Sequence, residues 1–274
     1  MAGSAAAAGI DLDAYLERIG WQGEVRATLE VLEGLLDAHM RRIPFENLDV
    51  LLGRRIRLDL AGVQAKLVGA RRGGYCFEHA TLFAAVLERF GFRLLRHAAR
   101  VVLYRAVDDA PRTHMFLSIT LPEGRFVVDP GFGALVPRRP FPLVDAAVGR
   151  PVGATHWLAR EGARWALRTL RDGAESDVWV STLEAESRID FEVANHYTAT
   201  HPASPFVQRL MMRAFTDDGS VTVMNRAVTT WHGDSPRTSV LADRAALRTL
   251  ARESFGFDLP ELEQLRVPSI PEWI

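Results

Sequence analysis

The chain has 274 residues but contains only one cysteine and one lysine. A single cysteine, Cys76, cannot form a disulfide within the chain, so the fold does not depend on an oxidising compartment and we expect a cytoplasmic protein. Because Lys66 is the only lysine, arginine supplies nearly all the positive charge, which we interpret as coding bias rather than function.

Other features are scarce as well. The formal net charge is -1, which gives no electrostatic reason to expect nucleic acid or a membrane surface as a partner. No apolar run approaches the ~20 residues of a membrane span. The start, MAGSAAAAGI, lacks the basic region and apolar bulk of a secretory signal, so we expect a frayed terminus. The histidines have no zinc-ligand spacing, and we predict no metal site.

The order of the sequence patterns predicts a helical part, a β part and a small mixed part. Helical periodicity covers DLDAYLERIG, VRATLEVLEGLLDAHMRRI, AGVQAKLVGA and ATLFAAVLERF. Strand patterns follow in RLLRHAARVVLYRA, HMFLSITL, RFVVDPGFG, HWLAREGARWALRTLRDG and ESDVWVSTLE, with LPEGR as a hairpin turn. From Phe191 to Phe215 we expect a loop followed by a helix. The hairpin VTVMNRAVTTWHG and the amphipathic helix DRAALRTLARESFGF come next.

The segment RRGGYCFEHA places the single cysteine just after two glycines and at the start of a predicted helix. Gly73 and Gly74 permit backbone angles that other residues resist. Free N–H groups and the positive end of the helix dipole favour a thiolate at Cys76, and the same groups could stabilise an oxyanion. The alternative interpretation is a small, packed, structural cysteine.

A nucleophilic cysteine needs a base, because a thiol with an ordinary pKa of about 8.5 is only partly ionised at neutral pH. His114 opens the strand HMFLSITL, and the next strand, RFVVDP, leads into Asp129. If Glu123 and Gly124 form the turn, both side chains share one sheet face but lie four residues apart, about 13 Å. Spacing alone therefore leaves open that His114 is an ordinary edge histidine and Asp129 a turn residue.

Five motifs, in order along the chain, resemble those of the arylamine N-acetyltransferases. IPFENLDV resembles the family's I-P-F-E-N-L, RRGGYCFEHA its R-G-G-x-C-x-E, and T-H-M its histidine segment. VVDPGFG resembles its V-D-x-G-F-G, and SPFVQRLMMRAF its S-P-F segment. The chain departs from the commonest pattern after Glu78, where His79 and Ala80 replace the frequent Gln-Asn.

The resemblance implies an α+β fold with three domains and a papain-like cysteine-enzyme core. These domains are an N-terminal helical bundle with the cysteine (1–92), a central β-barrel with the histidine and aspartate (93–195), and a C-terminal α/β lid (196–274). It further implies that Cys76 is the acyl nucleophile, that His114 is its base, and that Asp129 orients His114.

The resemblance also implies residues around the reacting groups. Arg72 and Glu46 resemble a family ion pair behind the site, which we interpret as structural. By the same resemblance we expect Phe45, Phe132 and Phe206 to line the aryl-acceptor pocket, although each could be an ordinary core residue. The coenzyme is expected at Gly131 and Gly133, which would meet its pantetheine arm, and at Trp231 and His232, which could equally be a surface pair.

The implied activity is transfer of acetyl from acetyl-CoA to an arylamine or hydrazine, in two steps through an acetyl-cysteine. Three alternatives stay open at this point. An amide synthase could close a macrolactam with the same site, a thiol hydrolase of transglutaminase type could use the same triad, and a non-enzymatic interaction module could keep the scaffold. The oligomeric state is unknown.

Overall fold

The computed structural model describes residues 9–103, 105–133, 135–146, 155–171, 173–233 and 235–274. The expected frayed terminus therefore lies, in its first eight residues, outside the described residues. Up to residue 92 the described chain forms α1 (Leu12–Ile19), α2 (Leu29–Arg42), the two-residue strand β1 (Phe45–Glu46), α3 (Leu48–Leu51), α4 (Leu60–Gln64) and α5 (Cys76–Arg89). A π-helical turn, Ala65–Gly69, continues α4.

The first two helices begin and end where the sequence predicts. Asp11 caps α1 by accepting a hydrogen bond from Ala14 N at 3.0 Å, and Gly20, with φ +71°, ends it. Thr28 caps α2 in the same way, and α2 ends just before Pro44. The apolar face of α2 is fully buried at Leu32, Leu35 and Leu36. Local caps and the helical period of the leucines thus account for this part of the bundle.

A seven-stranded antiparallel sheet follows the helices. Its strands are β2 (Arg93–Val101), β3 (Arg112–Leu121), β4 (Gly124–Val128), β5 (Phe141–Pro142), β6 (His156–Glu161), β7 (Arg164–Arg171) and β8 (Ala174–Ser181), in the spatial order β5-β4-β3-β2-β8-β7-β6. The two edges approach each other, because Ala146 N, just after β5, donates to Leu158 O of β6 at 2.9 Å. The sheet is therefore barrel-like and nearly closed. Its core includes the stacked rings of Phe116 and Trp179, 4.3 Å apart.

The structure contradicts the prediction of a loop followed by a helix between Phe191 and Phe215. This segment lies in α6 (Arg188–Thr200), the one-turn helix α7 (Pro205–Gln208) and the strand β9 (Met211–Phe215). The order of regular structure is therefore helix, turn and strand, and the apolar run at its end is not helical.

Burial explains both differences. In α6 the buried residues Phe191, Asn195 and Thr198 recur at spacings of four and three, which is the helical period. Polar residues such as Asn and Thr obscure that period in the sequence. In β9 burial alternates, with Met212 and Ala214 inside, which is the period of a strand. A run of five residues is too short to separate the two periods without knowing which face is covered.

A second sheet holds the C-terminal part together. Its other strands are β10 (Gly219–Met224), β11 (Ala227–His232) and β12 (Ser235–Val240), and the spatial order is β1-β9-β10-β11-β12, antiparallel throughout. Helix α8 (Arg244–Ser254) packs on this sheet through Leu247 and Ala251. The predicted hairpin and amphipathic helix are confirmed. Because β1 comes from the N-terminal helical part, this sheet joins that part to the C-terminal part of the chain.

The architecture is α+β, as expected. The domain division stays a prediction: the boundary after residue 92 falls between α5 and β2, and the boundary after residue 195 falls inside α6. Across the residues that the structure describes, no helix is both long and apolar enough to cross a bilayer.

Candidate active site

The single cysteine is the first residue of α5. Tyr75 is the N-cap residue, and its backbone N–H donates to Glu78 Oε2 at 3.1 Å, which is one half of a capping box. Cys76 is 3% exposed, so the thiol lies in the interior at a helix N-terminus. The first backbone N–H groups of a helix have no partner within the helix and are available to an anion formed at this end.

The two glycines before Cys76 are required for close contacts, and the prediction that they supply unusual backbone angles is wrong. Neither has a positive φ, whereas Arg71 has φ +53°. A Cβ on Gly73 would lie 2.2 Å from Pro44 O, and a Cβ on Gly74 would lie 2.7 Å from Glu78 Oε2. Only glycine leaves room for the chain segment beneath the turn.

His114 and Asp129 form a buried hydrogen-bonded pair. His114 Nε2 donates to Asp129 Oδ2 at 2.7 Å, and the side chains are 2% and 0% exposed. A charged carboxylate at such a depth needs a partner that carries or shares a positive charge. The pair that spacing alone left open is therefore formed.

The register of β3 and β4 explains how the two residues meet. Leu121 lies opposite Gly124, so the two residues between them form the turn, one position earlier than predicted. Continuing the ladder by one pair places Asp129 opposite Phe116, two residues from His114 instead of four. Diagonal neighbours on one face of a sheet are about 7–8 Å apart, within reach of these side chains.

The pair also sets the charge of the histidine. Burial by itself would lower the pKa of His114, but the charge and hydrogen bond of Asp129, together with the hydrogen bond to Cys76, raise it to about 10. His114 is therefore protonated at neutral pH. With Nε2 held by Asp129, Nδ1 is the ring nitrogen left for Cys76. The sulfur also lies 3.6 Å from the carbonyl oxygen of Thr113.

The loop after Asp129 packs directly on the turn that carries the nucleophile. A Cβ on Gly131 would lie 2.9 Å from Cys76 Cα and 2.8 Å from His79 Cβ. Gly131 N also donates to Asp129 Oδ1 at 3.3 Å. Glycine at this position thus allows close approach to the protein's own helix, while its expected contact with the coenzyme stays a prediction.

Of the three phenylalanines predicted to line the acceptor pocket, one contacts the triad and the other two contact each other. Phe132 packs edge-on against His114, with ring centroids 4.9 Å apart. Phe45 and Phe206 contact each other at 6.2 Å between centroids, and Gly133, with φ +84°, faces the Phe45 ring. All three phenylalanines are only partly buried. The structure therefore places Phe132 on His114 and pairs Phe45 with Phe206, and the role of all three as the lining of an acceptor pocket stays a prediction.

Trp231 and His232 lie at the end of β11 and contact their own hairpin. Trp231 is paired with Ser220 and is 37% exposed, and His232 Nδ1 is 2.7 Å from Asp218 Oδ2. Three strand spacings separate β11 from the strand that carries Phe45, about 14 Å at ~4.8 Å per strand. Their contact with the coenzyme remains a prediction.

A buried charge cluster supports the first turn of α5. The expected pair is confirmed, since Arg72 Nη2 lies 2.6 Å from Glu46 Oε1. Lys66 Nζ joins the cluster, 2.8 Å from Glu78 Oε1 and 2.9 Å from Asp49 Oδ2. Burial would lower the pKa of Lys66, but the carboxylates around it raise it. The only lysine is thus a structural residue near the site, and its rarity in the sequence was the one available signal.

The motif that carries Phe45 also holds the C-terminal part in place. Asn47 Nδ2 donates to Phe206 O at 2.8 Å and to Arg209 O at 2.7 Å, and Asn47 Oδ1 accepts from Met211 N at 2.8 Å. In the sequence, the available signal was the polar pair Glu46–Asn47, which follows the apolar residues at the start of IPFENLDV. These bonds fix Phe206 beside Phe45.

Together these groups can perform acyl transfer. The site combines a thiol at a helix N-terminus, an imidazolium that can give and take a proton, and a carboxylate that holds the imidazole. Among the residues that the structure describes, no group of three or more histidine, cysteine, aspartate or glutamate side chains is arranged to hold a metal ion.

The chain is similar to known proteins in both sequence and structure. The sequence model of the N-acetyltransferase family matches residues 28–264. An arylamine N-acetyltransferase of Mycolicibacterium smegmatis is 39% identical over 260 residues, covering 92% of this chain and 94% of the relative. The structure of the M. tuberculosis enzyme of that name is 37% identical, with a TM-score of 0.84 over 90% of this chain and 94% of that one. The Mycobacterium marinum arylamine N-acetyltransferase in complex with CoA is 32% identical, with a TM-score of 0.85 over 92% and 94%.

Proposed function

Because the chain belongs to the arylamine N-acetyltransferase family, we propose that Cys76, His114 and Asp129 are the catalytic triad of this acyltransferase. The observation that carries the proposal is the 2.7 Å bond between His114 and Asp129 beside the only thiol in the chain. That bond keeps His114 in one orientation and in its protonated form, which is the partner a thiolate needs.

The first step loads the enzyme. The Cys76 thiolate attacks the thioester carbonyl of acetyl-CoA, and the carbonyl oxygen becomes an oxyanion beside the first N–H groups of α5. The tetrahedral species collapses, the bond to the coenzyme sulfur breaks, and His114 gives its proton to the departing thiolate. The products are acetyl-Cys76 and free CoA, with His114 neutral.

The second step unloads it. An arylamine or arylhydrazine enters between Phe45, Phe132 and Phe206, and its nitrogen attacks the acetyl carbonyl. His114 takes the proton from that nitrogen, and the Cys76 thiolate leaves. The partly buried rings supply an apolar surface for the aryl group and keep water from the acyl-enzyme.

Coenzyme A as the donor is supported by the CoA complex of the M. marinum relative. We propose that the loop at Gly131 and Gly133 faces the pantetheine arm and that Trp231 and His232 lie near the coenzyme. The cytoplasmic location also stays a prediction. The amide synthase, the thiol hydrolase and the interaction module are not favoured, because the relatives and structural neighbours are named as arylamine N-acetyltransferases.

The test is the mass of the intact protein after mixing with acetyl-CoA in the absence of an acceptor. We expect a gain of one acetyl group on the wild-type chain, its loss when an aminobenzoate is added, and no gain for Cys76→Ala. His232→Ala is a second variant, in which the triad is intact and loading is expected at a higher acetyl-CoA concentration. A wild-type protein that stays unmodified would refute the proposed mechanism.

A further inference from the structure

Three buried side chains form a hydrogen-bonded row that ends one turn after the nucleophile. Tyr15 OH lies 2.9 Å from His39 Nδ1, and His39 Nε2 lies 2.9 Å from His79 Nδ1. The row ends where His79 Nε2 lies 3.2 Å from Pro44 O. The three side chains are at most 1% exposed, and the catalytic steps above use none of them.

The last contact determines where every proton of the row lies. A carbonyl oxygen can only accept, so His79 Nε2 must carry a proton and donate to Pro44. If His79 is neutral, its Nδ1 is an acceptor and His39 Nε2 must donate to it. His39 Nδ1 is then an acceptor in turn, and Tyr15 donates its hydroxyl proton. With this assignment, every hydrogen bond of the row is donated in the same direction, from Tyr15 towards Pro44.

The surroundings keep both histidines neutral. Burial, with a smaller effect from the charge of Lys66, lowers the pKa of His79 to about 4, although backbone bonds to Pro44 and Gly74 and the charge of Glu46 act in the opposite direction. Burial also lowers the pKa of His39, and so do His79 and Arg18. A proton added to His79 Nδ1 would turn this acceptor into a donor that faces the donor His39 Nε2.

His79 contacts the segments whose relative positions determine the geometry of the site. It lies on α5 one turn after Cys76. Pro44 O accepts from His79 Nε2 and also from Gly74 N at 3.2 Å, so the segment leading into Phe45 and the turn before the nucleophile share one carbonyl. On its other side, the His79 Cβ sits where a side chain of Gly131 would be.

We propose that His79 is a positioning residue for acetyl transfer. Anchored by His39 and Tyr15, it holds the first turn of α5 against the segment that carries Phe45 and against the loop that follows Asp129. This inference rests on the proposed role of Cys76 as the nucleophile. His79 is also one of the two residues at which the chain departs from the commonest pattern of the family motif.

The test compares two variants of His79. His79→Leu keeps the bulk and removes both bonds, whereas the amide of His79→Gln can accept from His39 and donate to Pro44. We measure the single-turnover rate of Cys76 acetylation by acetyl-CoA and the rate of Cys76 alkylation by iodoacetamide. For His79→Leu we expect the acetylation rate to fall by about 10²-fold, as for a misplacement of about 1 Å. His79→Gln should recover most of that loss.

His97→Leu is the matched control. His97 is also buried and bonded at both ring nitrogens, to Glu184 O at 2.9 Å and to Ser118 Oγ at 2.8 Å, but it lies on β2. The His97→Leu variant should have a lower free energy of unfolding but should acetylate Cys76 at the wild-type rate. Equal rates for the two leucine variants, corrected for the folded fraction, would overturn the proposal, and so would a glutamine variant as slow as His79→Leu.

Two further measurements separate the possible failures. Alkylation needs no acetyl-CoA, so a slower reaction of His79→Leu supports the positioning role even if the acetyl donor has been misassigned. If His79→Leu does not fold, Tyr15→Phe removes a single hydroxyl from the row. It should slow acetylation by about 2- to 10-fold, the value of one hydrogen bond. An unchanged rate in that variant would count against the row as an anchor.

Discussion

Gly131→Ala is the substitution whose effect can be worked out most directly from the structure. The added Cβ would lie 2.9 Å from Cys76 Cα and 2.8 Å from His79 Cβ. Carbon atoms pack best at about 3.5–4.0 Å, so one side must move by about 1 Å. Cys76 and His79 belong to the first turn of α5, which the charge cluster and the capping bond hold in place. The loop is therefore the part that moves.

That displacement reaches the triad through two contacts. Asp129 accepts from Gly131 N at 3.3 Å, and Phe132, the next residue, packs on the His114 ring at 4.9 Å. A shift of about 1 Å in such groups costs about 10²-fold in rate. The overpacked contact should also lower the free energy of unfolding by about 1–3 kcal/mol.

Single-turnover acetylation of Cys76 measures the first effect, and urea unfolding measures the second. Gly9→Ala is the control, because a Cβ there meets nothing within 4 Å and its backbone angle suits any residue. The control should keep the wild-type rate and stability. If Gly131→Ala acetylates as fast as Gly9→Ala, the loop does not determine the geometry of the triad, and the reasoning from its close contact is refuted.

Three more substitutions test the charges of the site. Asp129→Asn removes the charge that raises the pKa of His114 to about 10, so turnover should fall by about 10²–10⁴-fold and the histidine should lose its proton at lower pH; an unchanged imidazole titration by NMR would contradict this. Lys66→Met leaves Glu78 buried without its cation, and urea unfolding should show a loss of about 3–5 kcal/mol; a loss below about 1 kcal/mol would count against it. In the folded protein the pKa of His79 is about 4, below its ordinary 6.5, so the unfolded chain binds more protons between these values and stability falls as the pH drops through that window. His79→Gln should remove this pH-dependent contribution to the free energy of unfolding, about 3 kcal/mol. If the free energy of unfolding of variant and wild type changed in parallel with pH, the expectation would be wrong.

The helices and hairpins of this protein follow from local chemistry. The cap at Asp11, the stop at Gly20, the start of α5 at Cys76 and the hairpin between β10 and β11 depend on residues close together in the chain, and the sequence predicts each of them. Helix α6, whose period is obscured by polar residues, and strand β9 are exceptions. The alternation of β9 has meaning only once Met212 and Ala214 are known to face a core formed by distant residues.

The sequence by itself determined which residues are able to react. It contains one thiol, a histidine at the start of a strand, an aspartate after the next strand, and motifs in the order of a known family. Their identities and order need no coordinates, because a nucleophile, a base and an acid are defined by side-chain chemistry. Among the phenylalanines of the same motifs, Phe132 contacts His114 and Phe45 contacts Phe206.

Only the tertiary structure decided how these residues meet. A turn one position earlier than expected changes the His114–Asp129 offset from four residues to two, and a strand register depends on the whole barrel around it. Glycine is needed at Gly73 and Gly131 because a neighbouring segment leaves no room for a side chain. The only lysine stabilises the site because it pairs with buried carboxylates. These are contacts between residues far apart in the chain, and their energies exist only after folding has removed water and brought the partners within a few ångströms.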